Sequence, residues 1–140
     1  MNIEVNYLGI ALAGVTSMIV GFLWYSPTFF GRPWMKLMGY TEAGLKKAQK
    51  EMGNLYGISF VGSLLMAFVL SHVMTLSMNF YHYSKFSTGL NTAFWMWIGF
   101  VMPVQMTTTI FGDKKWPLFA INTGYQLASL LGMAMAIALV

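Results

Sequence analysis

The chain has 140 residues, of which 57% are hydrophobic and only 9% charged, against about 25% charged in an ordinary soluble domain. It contains no cysteine, which excludes disulfides, thiolate metal sites and thiolate nucleophiles. The formal net charge is +4, but the basic residues sit in short connections without an extended basic surface, so nucleic acid is not an expected partner.

Charged positions divide the sequence into four long uncharged runs. There are 27 such residues between Glu4 and Arg32, 33 between Glu51 and Lys85, 27 between Lys85 and Asp113, and 25 after Lys115. A bilayer core takes roughly 20 apolar residues per helix. The pattern predicts an all-α integral membrane four-helix bundle in one domain, 1–140, with spans near 6–26, 55–78, 89–111 and 117–138. A soluble bundle needs polar faces at helical spacing along each helix, and these are missing. The first run is expected to stay as a span, because MNIEVN is acidic and the run exceeds the roughly 7–15 residues of a signal-peptide apolar region.

The first span runs into GFLWYSPTFFGRPW at 21–34. Trp24 and Tyr25 are expected where a helix meets cytoplasmic headgroups, a layer that favours amphipathic rings. Pro27 lacks an N–H and disfavours helical geometry at Ser26, so it marks a stop. Arg32 and Trp34 extend the stretch into an interfacial elbow, with the charge reaching phosphate and the ring lying along the interface. An aromatic ligand site is the other reading of the same residues. Beyond it, TEAGLKKAQKEMG at 41–53 predicts a short cytoplasmic interfacial helix capped by Thr41 and ended by Gly53.

Seven of the eight Lys and Arg residues fall in the connections 27–54 and 112–116, and Lys85 stands alone in the other. The positive-inside rule makes the basic face cytoplasmic and places both termini outside.

Three spans carry small residues at intervals of four: Gly9, Ala13, Ser17 and Gly21; Ser59, Ser63, Ala67, Ser71 and Thr75; and Gly124, Ala128, Gly132 and Ala136. Such rows let helix backbones approach where lipid supplies no hydrophobic force between spans. One bundle has limited interior to use all three, so at least one row is expected to face a second copy, with a dimer as the default. The third span is bulkier, and Pro103 is expected to leave the carbonyl of Gly99 unpartnered and to bend it.

No Asp, Glu, Lys or Arg lies near the centre of a span, which argues against a carboxylate proton pump or a voltage sensor. The polar candidates at depth are His72, Asn91, Gln105, Asn122, Tyr125 and Gln126. An antiparallel hairpin of spans three and four brings Gln105 level with Asn122 or Thr123, and Asn122 and Gln126 share a face. These side chains form either an interhelical hydrogen-bonding cluster or the lining of a polar path. His72 reads as an imidazole bonded to a neighbour, or as a pH-sensitive gate. There is no GxSxG, HExxH or Walker loop, so neither an enzyme nor a cofactor or metal is expected.

LWYSPTFFGRPW (23–34), WIGF (97–100) and FGDKKWPLFAINTGYQLASLLGMAMAI (111–137) together resemble the domain-of-unknown-function family 1761 of small bacterial four-span membrane proteins. The resemblance implies an inner-membrane location and points to the WYSP elbow and the INTGY segment, Ile121 to Tyr125, as recurrent features, with no activity attached. Two functions fit this reading. One is a self-associating membrane scaffold or accessory subunit, and the other is an oligomeric channel-like or transport protein for a small solute or ion.

Overall fold

The computed structural model describes residues 4–49 and 51–140, and among these it contains helices and no strands. Helix α1 spans Tyr7–Trp24, α2 Gly31–Met38, α3 Glu42–Ala48, α4 Met52–Tyr81 and α5 Lys85–Met96. A π-helical turn at Trp97–Val101 joins α5 to α6 (Met102–Phe111), and α7 covers Trp116–Leu139.

Three stretches are long and apolar enough to cross a membrane: Tyr7–Trp24, Met52–Tyr81 and the continuous Lys85–Phe111. The 24 residues of α7 give it a length of about 36 Å, yet length and composition alone do not place it with the other three. Asn122, Thr123, Tyr125 and Gln126 lower its hydropathy. The packing explains how they are tolerated. Helix α7 lies against α1 and α5 and also touches α4, α6 and α2, so much of its polar first half meets protein.

Three helix starts follow their side chains, with Ser84 capping α5 by accepting from the amide of Ser87 at 3.3 Å. Asn6 caps α1 by accepting from the amide of Gly9 at 3.0 Å, and Thr41 caps α3 by accepting from Gly44 at 3.2 Å. The connection after α1 differs from the single expected helix. GRPW opens α2, which ends with Gly39 in the left-handed region at φ 73°. Helix α3 stops at Ala48, and Gly53 lies inside α4. With no Cβ on Gly53 meeting anything within 4 Å, the apolar run simply starts its long helix earlier than glycine punctuation suggests.

The break at Pro103 is also different. The helix passes the proline through a π turn in which the Met102 amide bonds back to the carbonyl of Trp97, while Pro103 sits in the first turn of α6. A ring without an N–H is tolerated there. One residue inserted into the ladder accommodates the missing donor.

The three small-residue rows are used within the chain. Ser63, Ala67 and Ser71 of α4 are buried, as are Gly9, Ala13 and Ser17 of α1. A Cβ on Gly132 would stand 3.2 Å from Thr16 Cγ2, and one on Gly21 3.3 Å from Tyr125 Oη. Rows on α1 and α7 are thus spent largely on each other, and α4 turns Ser63, Ala67 and Ser71 inward while Ser59 stays exposed. Around these crossings Leu70, Met133, Ala93 and Ala134 are fully enclosed.

The helices also sort the chain to two ends. Glu4, Asn6, Asn79, Lys85 and Val140 border one cleft, so the segment before α1 and the end of α7 lie with the α4–α5 turn. The elbow after α1 lies at the other end with the start of α4, where Phe22 meets Tyr56 at 5.2 Å between ring centroids, and with the α6–α7 turn.

Candidate functional site

The elbow and the Ile121–Tyr125 segment, far apart in sequence, are one site. Trp24 closes α1, and its indole Nε1 donates to the carbonyl of Ile121 at 3.0 Å. Trp97, the first residue of the π turn, donates from Nε1 to the carbonyl of Thr123 at 2.9 Å. Two indoles from different helices therefore hold carbonyls that flank Asn122. Each of these carbonyls has two lone pairs, so it can accept the indole without giving up its helical partner.

Between them, the Tyr25 hydroxyl donates to Asn122 Oδ1 at 2.8 Å, and the Thr123 hydroxyl donates to Gln105 Oε1 of α6. Every rung crosses from α7 to another element. Three serine hydroxyls make a second crossing deeper in the molecule: Ser17 lies 2.7 Å from Ser129 and 3.2 Å from Ser63, tying α1 to α7 and α4. In an apolar surround each pair replaces a bond to water that is not available.

The elbow reaches this position through a tight backbone turn. Phe30 bonds back to the carbonyl of Trp24 and Gly31 to that of Ser26, both at 3.0 Å. A Cβ on Gly31 would lie 2.4 Å from the Tyr25 oxygen and 2.7 Å from the Ser26 oxygen, so the turn has room only for glycine. Aromatic contacts then continue outward. Tyr25 packs on Tyr125 at 5.2 Å and on Trp34 at 5.4 Å, and Trp34 on Tyr40 at 5.4 Å. Lys115 closes the outer edge by donating from Nζ to the carbonyl of Leu37 at 2.6 Å, a favourable place for a cation in the last turn of α2.

The residues singled out from sequence are thus distributed unevenly. Gln105 is level with Thr123, but no amide cluster forms, because Gln105 and Asn122 are each taken by a hydroxyl. Tyr125 joins the aromatic contacts. Gln126 is half-buried beside Asn122 and outside these bonds. His72 stands apart on α4, where Nδ1 pairs with the carbonyl of Phe68 in its own helix at 2.8 Å and its ring packs on Phe68 at 4.4 Å. Trp24 and Tyr25 are half-buried, with their polar tips spent on α7, while Pro27 and Arg32 are exposed. Sequence reasoning missed the roles of Gly31 and Trp97. The GRP triplet was the available signal for the first, since a glycine before two stiff or bulky residues marks a close backbone approach.

The residues that make this site fall within the match to a family model described as "Protein of unknown function (DUF1761)", which covers residues 8–138. The chain belongs to this family. No curated protein and no solved structure matches it. In this DUF1761 chain the WYSP and INTGY motifs are the two halves of a single interhelical clamp, which Trp97 of WIGF also joins.

Proposed function

We propose that this protein is a four-span, non-catalytic protein of the bacterial cytoplasmic membrane that acts as a scaffold or accessory subunit. The observation behind this reading is the mutual satisfaction of its interior polar groups. Tyr25 with Asn122, Thr123 with Gln105, the two indoles and the serine trio are consumed across helix pairs. A conducting path needs polar groups free to exchange with a passing solute, and a clamp of this kind favours a fixed, packed unit.

In this reading α7 is the fourth span, shielded from lipid by its neighbours, and α2 and α3 lie at the cytoplasmic interface. Trp34 and Met35 of α2 face a cavity against the bundle end, which leaves Arg32 and Lys36 for the phosphate layer. Both termini are outside in this reading, which the seven-to-one distribution of Lys and Arg supports. Self-association as a dimer moves from the consumed rows to the outer face of α4. There, Gly53, Gly57 and Gly62 have nothing within 4 Å of an added Cβ, and Ile58, Val61 and Leu65 are exposed.

Because the chain has no cysteine, single introduced cysteines test this directly. Gly57→Cys is expected to form disulfide-linked dimers in native membranes and Gly124→Cys to form none. Vesicles reconstituted with the purified chain are expected to leak ions and small solutes no faster than protein-free vesicles. Selective, protein-dependent flux would overturn the scaffold reading in favour of transport.

A further inference from the structure

At the end opposite the clamp, the C-terminal part of α4 and the first turns of α5 enclose a cleft of about 690 Å³, within the range of small-molecule sites. Its lining is unusual for a helix pair in lipid. Ser77, Ser87, Thr88, Asn91 and Thr92 supply hydroxyls and an amide, and no lining residue is charged. Ser87, Asn91 and Trp95 follow one another at intervals of four along an exposed strip of α5, so this polar face is not covered by another helix of the chain.

One group in it is unsatisfied. Thr88 is 3% exposed, and among the described residues its Oγ1 is a buried side-chain atom with no hydrogen-bond partner. Other threonines of the chain donate to the carbonyl one turn back, as Thr75 does to Ser71 at 3.0 Å, but Thr88 makes no such bond to Ser84. A buried hydroxyl left unpaired is a net loss to the fold. Asn91 donates from Nδ2 to the carbonyl of Ser87 at 2.9 Å, which leaves its Oδ1 as an acceptor. Aromatic rings frame the opening, with Tyr81 and Tyr83 stacked at 5.7 Å and 8° and Trp95 on the α5 side.

From this lining we infer that the cleft binds a neutral polyhydroxylated group of the sugar type. Such a ligand offers donors and acceptors together, which matches hydroxyls and an amide of both kinds. Its apolar C–H faces suit the tyrosine and tryptophan rings, whose polar tips stay available. A bare acyl chain would strand the five polar side chains. An ionic headgroup would lack a counter-charge in the lining. The same chemistry is presented by a free glycoside and by the headgroup of a glycolipid, and the position beside a helix-connecting turn admits either.

The test uses the full chain in phosphatidylcholine nanodiscs, with glucosyl-diacylglycerol or methyl β-glucoside as probe. Retention of the glycolipid is read by native mass spectrometry, and competition by the free glycoside identifies which source the cleft accepts. Ser87→Ala and Asn91→Leu, at the exposed part of the lining, are each expected to lower probe binding about fivefold, the worth of one hydrogen bond. Without probe, Thr88→Val should melt at the same or a higher temperature, because it removes an unpaired hydroxyl. Absence of binding by both probes to the wild type would overturn the inference. Binding that Ser87→Ala and Asn91→Leu both leave unchanged would also overturn it, as would Asn91→Cys forming linked dimers with no glycolipid retained, which would assign the cleft to a second copy.

Discussion

Gly124 and Trp24 are fitted to each other: a Cβ on Gly124 would stand 3.0 Å from Cζ2 of the Trp24 indole. The glycine leaves the surface on which the indole lies while its Nε1 reaches the Ile121 carbonyl at 3.0 Å. Gly124→Ala is expected to displace the ring and destabilise the chain by about 1–3 kcal/mol, the usual cost of overpacking. Trp24→Phe in the same background should recover part of that loss, because the smaller ring needs less room. Thermal unfolding in detergent, followed by tryptophan emission, measures both effects.

A second substitution separates folding from assembly. Gly132 faces Thr16 and Val20 of α1, at 3.2 and 3.5 Å from an added Cβ. Gly132→Leu should therefore lower the melting temperature by the same amount at every protein-to-lipid ratio. A loss that grows on dilution in lipid would instead place Gly132 between copies.

The elbow has its own critical position. At Gly31 an added Cβ meets backbone oxygens at 2.4 and 2.7 Å, with no flexible side chain to move aside. Gly31→Ala is expected to cost about 3 kcal/mol, in the range of severe single substitutions, and to expose Trp24 and Trp34 to solvent. Fluorescence quenching by acrylamide should rise accordingly. An unchanged melting temperature would mean that the turn opens without consequence.

Much of the helix layout was legible from the sequence, because spans of 25 or more uncharged residues have few alternatives in a bilayer. The hairpin register that sets Gln105 beside Thr123 followed from the short α6–α7 connection. The destination of Trp24 and Tyr25 was not legible. An aromatic at a span end suits the headgroup layer and a neighbouring helix equally, and only tertiary packing decides between them. Small-residue rows have the same ambiguity, since Gly132 looks identical whether it meets α1 or another copy. At Pro103 the missing N–H demanded an irregularity but did not choose between a bend and a π turn.

Topology is checked by labelling. Gln49→Cys is expected to be shielded from an impermeant thiol reagent in intact cells, and Ser87→Cys to react. The motive is the placement of seven basic residues on the elbow side and Lys85 alone on the other. The reverse pattern of labelling would invert the orientation and put the Ser87 cleft inside.

The central claim is that the elbow and the Ile121–Tyr125 segment act as one clamp, and the 2.8 Å bond from the Tyr25 hydroxyl to Asn122 Oδ1 is its most direct probe. A double-mutant cycle of Tyr25→Phe and Asn122→Leu, measured by reversible unfolding in mixed detergent, reads the coupling between them. The clamp predicts a favourable coupling of about 0.6–1.7 kcal/mol, the range of hydrogen bonds between membrane helices. Strict additivity of the two substitutions would contradict it.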